Sequence, residues 1–376
     1  LRALIVGGGV AGLTLAAKLA QQGRKPVVIE RSPGYSDAGY AIGLYPLGSS
    51  VLHGLGAYRE LASRSLQTRR YEMRDHKGAL LQELDVSTVM KEIGPMLLMS
   101  RADLIQVLRQ ACGDVEIRMG AAVQNIEQSA RVVRVVFNGG AASEFDVLVG
   151  CDGIHSATRK QVFGEQPAFD AGWTLWTWWG RNELIPPDVI REYWGRGVFF
   201  GIYPIPARCM CAVVLPNRSA PQDPSDEALR RFIACALREL AAHADDVRRA
   251  VSDAKTFFKW PMLDVRARKW RCGRVALCGD AAAAFLPTAG AGASNAMRAA
   301  AALADELSKV DGPHAPLALE LYVKRCRQIV EKNQSDSRKA ARFAFLESDL
   351  DSQPEHRTQA ESGTIFPWAW RAVRPC

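Results

Sequence analysis

The chain has 376 residues, 48% hydrophobic and 23% charged, with a formal net charge of +8. This composition excludes a disordered chain, a collagen-like repeat and a disulfide scaffold, and the length holds roughly two domains. The positive balance favours anionic ligands in general, but no nucleic-acid-binding fold signal accompanies it.

Arg2 to Val6 is a short apolar run of strand type. It enters Gly7-Gly8-Gly9-Val10-Ala11-Gly12, and Leu13 to Ala20 continues with helical spacing. Pro26 to Glu30 reads as a second strand. Strand, glycine turn, helix and strand within about 30 residues make a βαβ unit. Further on, the spacing predicts a helix over Arg101–Gln110 and strands over Val115–Arg118 and Arg131–Phe137. A turn at Asn138-Gly139-Gly140 leads to one strand over Phe145–Val149, and a helix starts near Ser156.

Between about 165 and 265 the texture changes, with Trp173, Trp176, Trp178, Trp179 and Trp194 crowded together. Gly197–Tyr203 and Cys209–Leu215 read as strands, and one helix is predicted over Ser225–Ala242. The pattern is that of a mostly antiparallel sheet inserted between nucleotide-binding segments. Arg274 to Cys278 is again a buried strand, ending at Gly279-Asp280. A small-residue helix is predicted over Ala291–Leu307 and a long one from Leu317 to about Leu346. The tail beyond Asp349 is polar, then aromatic at Phe366, Trp368 and Trp370. No run of about 18 apolar residues is present, so no spanning helix is expected. The nine cysteines lack paired metal spacing and read as reduced thiols of a cytoplasmic protein, with no metal site.

Gly7-x-Gly9-x-x-Gly12 permits a tight turn and close backbone approach to a pyrophosphate at a helix N-terminus. Glu30 lies 18 residues after Gly12, where a carboxylate can accept hydrogen bonds from ribose hydroxyls. At this point NAD and FAD both remain open. Asp280 ends a buried strand ahead of a glycine-rich helix start, and reads either as a cofactor ligand or as a helix cap.

Two further motifs resolve the cofactor by resemblance. Gly150-Cys151-Asp152-Gly153 and the residues through Arg159 resemble the Asp-Gly motif of flavoprotein aromatic hydroxylases. Gly279-Asp280-Ala281-Ala282 with Pro287, Gly290 and Gly292 resembles their Gly-Asp motif. With the glycine turn, these occur in the order of the single-component FAD-dependent monooxygenases, the group that includes para-hydroxybenzoate hydroxylase. The resemblance implies an α/β fold: a Rossmann-like FAD-binding domain of glutathione-reductase type with an inserted, mostly antiparallel substrate sheet and C-terminal helices. FAD-binding segments are expected over 1–165, with part of the substrate-side sheet near 67–100. The substrate domain is expected over 166–270, another FAD segment over 271–310, and helices and tail over 311–376.

The resemblance also implies roles. Gly7, Gly9, Ala11, Gly12, Glu30, Arg31, Gly43, Arg101, Val123, Asp152, Asp280, Gly290, Gly292 and Ala293 would serve the cofactors. Arg101 and Asp280 would meet phosphates or ribityl, and Gly290, Gly292 and Ala293 would face the flavin ring. Asp152 and Arg159 would serve FAD and nicotinamide contacts. Where many relatives carry His after Gly-Asp-Ala-Ala this chain has Ala283, and Ala291 stands where Gln is common. NADPH or NADH is expected as reductant without a domain of its own, because no second Gly-x-Gly-x-x-Gly exists. Oxygen from O₂ would pass through a flavin C4a-hydroperoxide to a small aromatic substrate, hydroxylating or epoxidising it. The aromatic stretch from Trp173 to Tyr203 is where the substrate pocket is expected, with Tyr203 the polar residue chosen to orient or deprotonate the substrate. Alternatives are a flavin-dependent reductase or dehydrogenase, a halogenase-related enzyme, or a low-turnover flavin-binding redox sensor. The halogenase hallmark Trp-x-Trp-x-Ile-Pro is broken at Trp176-Thr177-Trp178-Trp179. A monomer or homodimer without a nucleic-acid or membrane partner is expected.

Overall fold

The computed structural model describes residues 1–36, 39–195, 197–217 and 225–344. The expected end of the long helix beyond 344, and the aromatic tail, lie outside the described residues.

The apolar runs read as buried strands line up in one six-stranded sheet. Its order is Arg271–Cys272, Val275–Leu277, Val147–Gly150, Ala3–Val6, Val27–Glu30 and Glu116–Met119. All neighbours pair in parallel except the short Arg271–Cys272 edge. Both faces are covered, so the central strands are apolar throughout rather than alternating. Leu4, Val6 and Leu148 pack under Val133, Val135 and Phe145 of a small three-stranded antiparallel sheet. On the other face lie the helices Val10–Gln21, Arg101–Ala111, Gly292–Ser308 and Ala315–Ala344.

Register decides where the motifs meet. Val6 lies opposite Gly150, and Gly150 opposite Leu277. Parallel strands put these three C-terminal ends on one edge. The glycine turn, the Asp-Gly motif and the Gly-Asp motif therefore emerge side by side, although they are far apart in sequence.

The second layer is an eight-stranded sheet. Its order is Ala283–Ala284, Phe258–Arg266, Phe169–Arg181, Arg208–Pro216, Val198–Ile205, Val189–Gly195, Arg70–Asp75 and Leu80–Asp85. It is antiparallel except where Val189–Gly195 meets Arg70–Asp75. Alternation divides its side chains. Trp176, Trp178, Cys209 and Cys211 pack against helices on the outer face, whereas Leu175, Trp194 and Val214 face the FAD-type domain.

Two expectations are corrected, and one strand was missed. The single strand over 145–149 is two: Ala142–Phe145 in the small sheet and Val147–Gly150 in the large one. The chain changes sheets at Asp146, whose N–H donates to the Arg2 carbonyl. The single helix over 225–242 is two short helices, Asp226–Ala236 and Arg238–His243, followed by a third, Asp245–Ser252. Breaks at Leu237 and Ala244 keep Ile233, Leu240 and Val247 against the sheet. The strand Val123–Gln128 was not foreseen, its residues being mostly exposed and polar.

Candidate active site

A cavity of about 560 Å³ lies between the two layers, within the size range of small-molecule sites. One half is walled by the converging motifs, the other by the inner face of the eight-stranded sheet.

The motif half begins at Gly7, whose φ of +110° suits glycine. Its N–H donates to the Ile29 carbonyl at 2.8 Å, tying the turn to the second strand. A Cβ on Gly12 would lie 1.9 Å from the Gly7 carbonyl oxygen, so the helix can pack this closely only with glycine there. A Cβ on Gly9 would meet nothing within 4 Å, leaving a cradle open to a ligand. No side chain caps the helix Val10–Gln21, so its first-turn N–H groups are available to an anion. Beside them, Glu30 accepts from Gly8 N–H at 2.8 Å and Ser32 N–H at 2.9 Å. The carboxylate is held still with lone pairs to spare. The Tyr35 hydroxyl is buried against Gly8 and has no hydrogen-bond partner among the described residues. Sequence reasoning missed Tyr35, which sits in no motif.

The Gly-Asp motif supplies the facing wall. Asp280 follows a buried strand in the turn Gly279–Ala281. Its surface opens to the cavity, but it lies deep in the molecule. That depth pushes its carboxyl up to about 6, with Arg101 pulling the other way. Arg101 itself opens the helix Arg101–Ala111 under a Ser100 cap and lines the cavity. Gly290 is left-handed at φ +59°. It leads into the helix Gly292–Ser308, whose start is likewise uncapped by a side chain. This loop is pinned from outside. Tyr45 donates to the Ala289 carbonyl at 3.0 Å, Thr288 to the Ser337 carbonyl at 2.7 Å, and Asn333 to Asn295 at 2.8 Å. The two departures in the motif are absorbed by backbone. Ala283 pairs with Arg266 in a strand, and Ala291 is the residue preceding the helix.

Gly9, Ala11, Gly43, Arg101, Asp280, Gly290, Gly292, Ala293 and Tyr203 all line the cavity. Gly7, Gly12 and Glu30 stand just behind the glycine turn. Arg31 is exposed, and Val123 starts a strand at the rim of the small sheet. Asp152 turns inward: it accepts from Ser156 Oγ at 2.6 Å and Thr158 N–H at 2.9 Å, closing the start of the helix Ala157–Phe163. Arg159 is buried and donates to the Ala281 and Ile154 carbonyls at 2.9 and 2.6 Å, stapling the two later motifs together.

The sheet half is mostly apolar, with Thr68 and Thr177 in its lining, and carries one charged cluster. Glu192, only 8% exposed, projects from Val189–Gly195 on the same face as Ile190 and Trp194. Its Oε1 accepts from Tyr203 Oη at 2.6 Å. Its Oε2 accepts from Trp194 Nε1 at 2.9 Å and also from the Tyr71 hydroxyl. Burial raises the Glu192 carboxyl above its ordinary range, and the three donors oppose that rise. Burial and the Glu192 charge hold Tyr203 and Tyr71 well above an ordinary phenol. Tyr203 is thus a hydrogen-bond donor anchored on Glu192. Glu192 escaped the sequence reading. Its signal was the alternation Ile190, Glu192, Trp194, which places an acid on an apolar face.

The sequence pattern of the family described as FAD binding domain matches residues 1–337. The chain belongs to this FAD-binding family. A 3-amino-4-hydroxybenzoate 2-monooxygenase of Streptomyces platensis is 31% identical over 348 residues, covering 89% of this chain and 87% of its own. Aurachin C monooxygenase/isomerase of Stigmatella aurantiaca is 29% identical, over 82% of this chain and 81% of its own. Among solved structures, HpxO of Klebsiella pneumoniae complexed with FAD and uric acid superposes with a TM-score of 0.89 at 24% identity, covering 99% of this chain and 97% of that one. The chain is an FAD-dependent monooxygenase, and these relatives are named monooxygenases. The residues present fit the cofactor: two uncapped helix starts and an open glycine cradle border one cleft, with a fixed Glu30 and an orphaned Tyr35 hydroxyl packed against the glycine turn beside it. No helix among the described residues is long and apolar enough to cross a membrane.

Proposed function

We propose that this enzyme takes electrons from NADPH or NADH as a transiently docked co-substrate and places one atom of O₂ on a small aromatic substrate. The observation that carries this reading is the two-sided cavity. Its motif half suits a dinucleotide, and its apolar half suits a planar ring, so one opening serves both.

Bound FAD supplies the electron transfer and oxygen activation. The chain's own residues bind, orient and exclude water. Gly7, Gly9 and Gly12 would shape the turn so that the uncapped N–H groups of the first helical turn, around Ala11, face the pyrophosphate. Glu30 accepts from the adenosine ribose, and Arg31 and Val123 flank the adenine. Arg101 and Asp280 meet the phosphates or ribityl chain. Gly43, Gly290, Gly292 and Ala293 would bring backbone against the flavin ring, where N–H dipoles would stabilise negative charge. Asp152 shapes the turn beside which the nicotinamide docks. Phe199, Trp194, Val214 and Met262 exclude water from the substrate side. Tyr203 and Glu192 supply its polar anchor.

The test is purification followed by cofactor extraction and a screen of NAD(P)H oxidation against phenols, quinolones and aromatic acids. FAD, about one per chain, with oxidation accelerated by an aromatic compound, is expected. FMN on extraction, or fast oxidation indifferent to every ligand, overturns the reading.

A further inference from the structure

Three charged side chains line the whole cavity among the described residues: Arg101, Asp280 and Glu192. Arg101 and Asp280 belong to the motif half. Among the described residues, the sheet half therefore carries one formal charge, the buried carboxylate of Glu192, and no cation. Three described arginines on or beside the strands of this sheet have partners of their own. Arg191, the next residue on the strand, points to the opposite face and pairs with Glu72 and Asp246, both at 2.7 Å. Arg208 lies over the Trp179 ring, 3.6 Å from its centroid. Arg338 pairs with Asp264.

An aromatic carboxylate entering this half would lose its water, find no cation, and sit beside another carboxylate. Each of these disfavours it. A neutral ring meets the opposite situation. A carboxylate has about four acceptor positions. Glu192 uses three on Tyr71, Trp194 and Tyr203, and it borders the cavity. The remaining position is free to accept an N–H or O–H from a ligand. Gly201 helps to fix this geometry. A Cβ there would lie 2.6 Å from the Tyr203 ring, so only glycine lets that ring lie down and deliver its hydroxyl to Glu192.

We propose that the substrate is an uncharged, carboxylate-free aromatic carrying an N–H or O–H donor, such as a phenol, an aniline or an N–H heteroarene, recognised by Glu192. This rests on the monooxygenase reading and separates the chain from relatives named for hydroxybenzoates.

The experiment measures binding rather than turnover. The FAD-loaded enzyme is titrated with matched pairs: 3-amino-4-hydroxybenzoate against its methyl ester, and a quinolone carboxylate against its ester. Perturbation of the flavin absorbance is the readout. Esters should bind at least about tenfold more tightly than acids. Acids binding as well as esters, or binding by neither class, overturns the proposal. Glu192→Gln should keep its FAD and narrow the ester-to-acid ratio. Tyr203→Phe, which frees a position on Glu192 and keeps the ring, should preserve the ratio. An unchanged ratio in flavin-loaded Glu192→Gln overturns the assignment to Glu192. Turnover with the tightest ester is scored separately. Its absence would indict the monooxygenase reading and leave the binding preference standing.

Discussion

At the scale of single residues, the account rests on carboxylates held in unlike surroundings. Glu30 is fixed by two backbone N–H groups and faces the glycine turn. Glu30→Ala removes both the acceptor for the ribose and the partner of Gly8 and Ser32. Its FAD affinity should fall by about 1–3 kcal/mol, read as flavin content under dialysis. Unaltered retention would remove Glu30 from the cofactor site. Asp280 carries a pH signature. Its carboxyl is raised from 3.8 to about 6 in the folded protein, so the folded form holds its proton more tightly than the unfolded chain does. Its contribution to stability is full below about pH 4 and is lost as pH rises through about 6. The thermal midpoint of FAD-free protein should show this slope, and Asp280→Asn should flatten it between those values. An identical slope in the variant would place the titration elsewhere. Glu192 shows why the substrate side was harder to read than the cofactor side. An acid within a strand ordinarily marks the wet face. Only its phase with Ile190 and Trp194 reveals that it points inward, and no motif enforces that phase.

At the scale of elements, the glycine turn and its helix are the least tolerant part of the molecule. Gly12→Ala would drive a Cβ to 1.9 Å from the Gly7 carbonyl oxygen, which is backbone and cannot swing away. The expected loss is at least about 3 kcal/mol in denaturant unfolding, with FAD no longer retained. A wild-type midpoint would mean that helix and turn are less closely packed than described. The elements that carried strong local signals were legible. Ala3–Val6 and Val275–Leu277 are unbroken apolar runs ended by glycine, as two-sided burial requires. The elements that were misread carry none. Phe145 and Val147 are both buried, so nothing local reveals that Asp146 between them is where the chain changes sheets. The alanine-rich stretch around 236–244 has no glycine or proline, and its two helix breaks answer to packing against the sheet beneath. The tryptophans divide for the same reason. Alternation sends Trp176 and Trp178 into the outer core and leaves Trp194 on the cavity side, so the stretch from Trp173 to Tyr203 does line the cavity, through Leu175, Thr177, Ile190, Glu192, Trp194, Phe199 and Tyr203, while part of its tryptophan builds the outer core.

At the scale of the whole molecule, one cavity is shared by two layers and depends on how they are joined. Arg274, 3% exposed, is one of the stitches within the FAD-type layer. Its guanidinium donates to the carbonyls of Ala130, Asp146 and Gly312 at 2.7 to 3.0 Å, joining a turn of the small sheet, the edge of the large one and the approach to the last helix. Arg274→Met leaves those carbonyls unpaired and should cost about 2–4 kcal/mol, with FAD affinity per folded molecule unchanged because Arg274 is remote from the cavity. A parallel loss of FAD affinity would show that the cavity is coupled to this joint within the FAD-type layer. The register of three parallel strands does the larger work, since it carries motifs at residues 7–12, 150–153 and 279–292 to one edge. The resulting cleft accounts for a monooxygenase only if oxygen reaches the substrate. The most direct measurement is mass spectrometry of the product formed by FAD-loaded enzyme, NADPH or NADH, and isotopically heavy O₂, using the compound that most accelerates cofactor oxidation. The account predicts one heavy oxygen atom per product molecule, matched by one NADPH or NADH consumed. Consumption of NADPH or NADH with hydrogen peroxide as the sole oxygen product would contradict it.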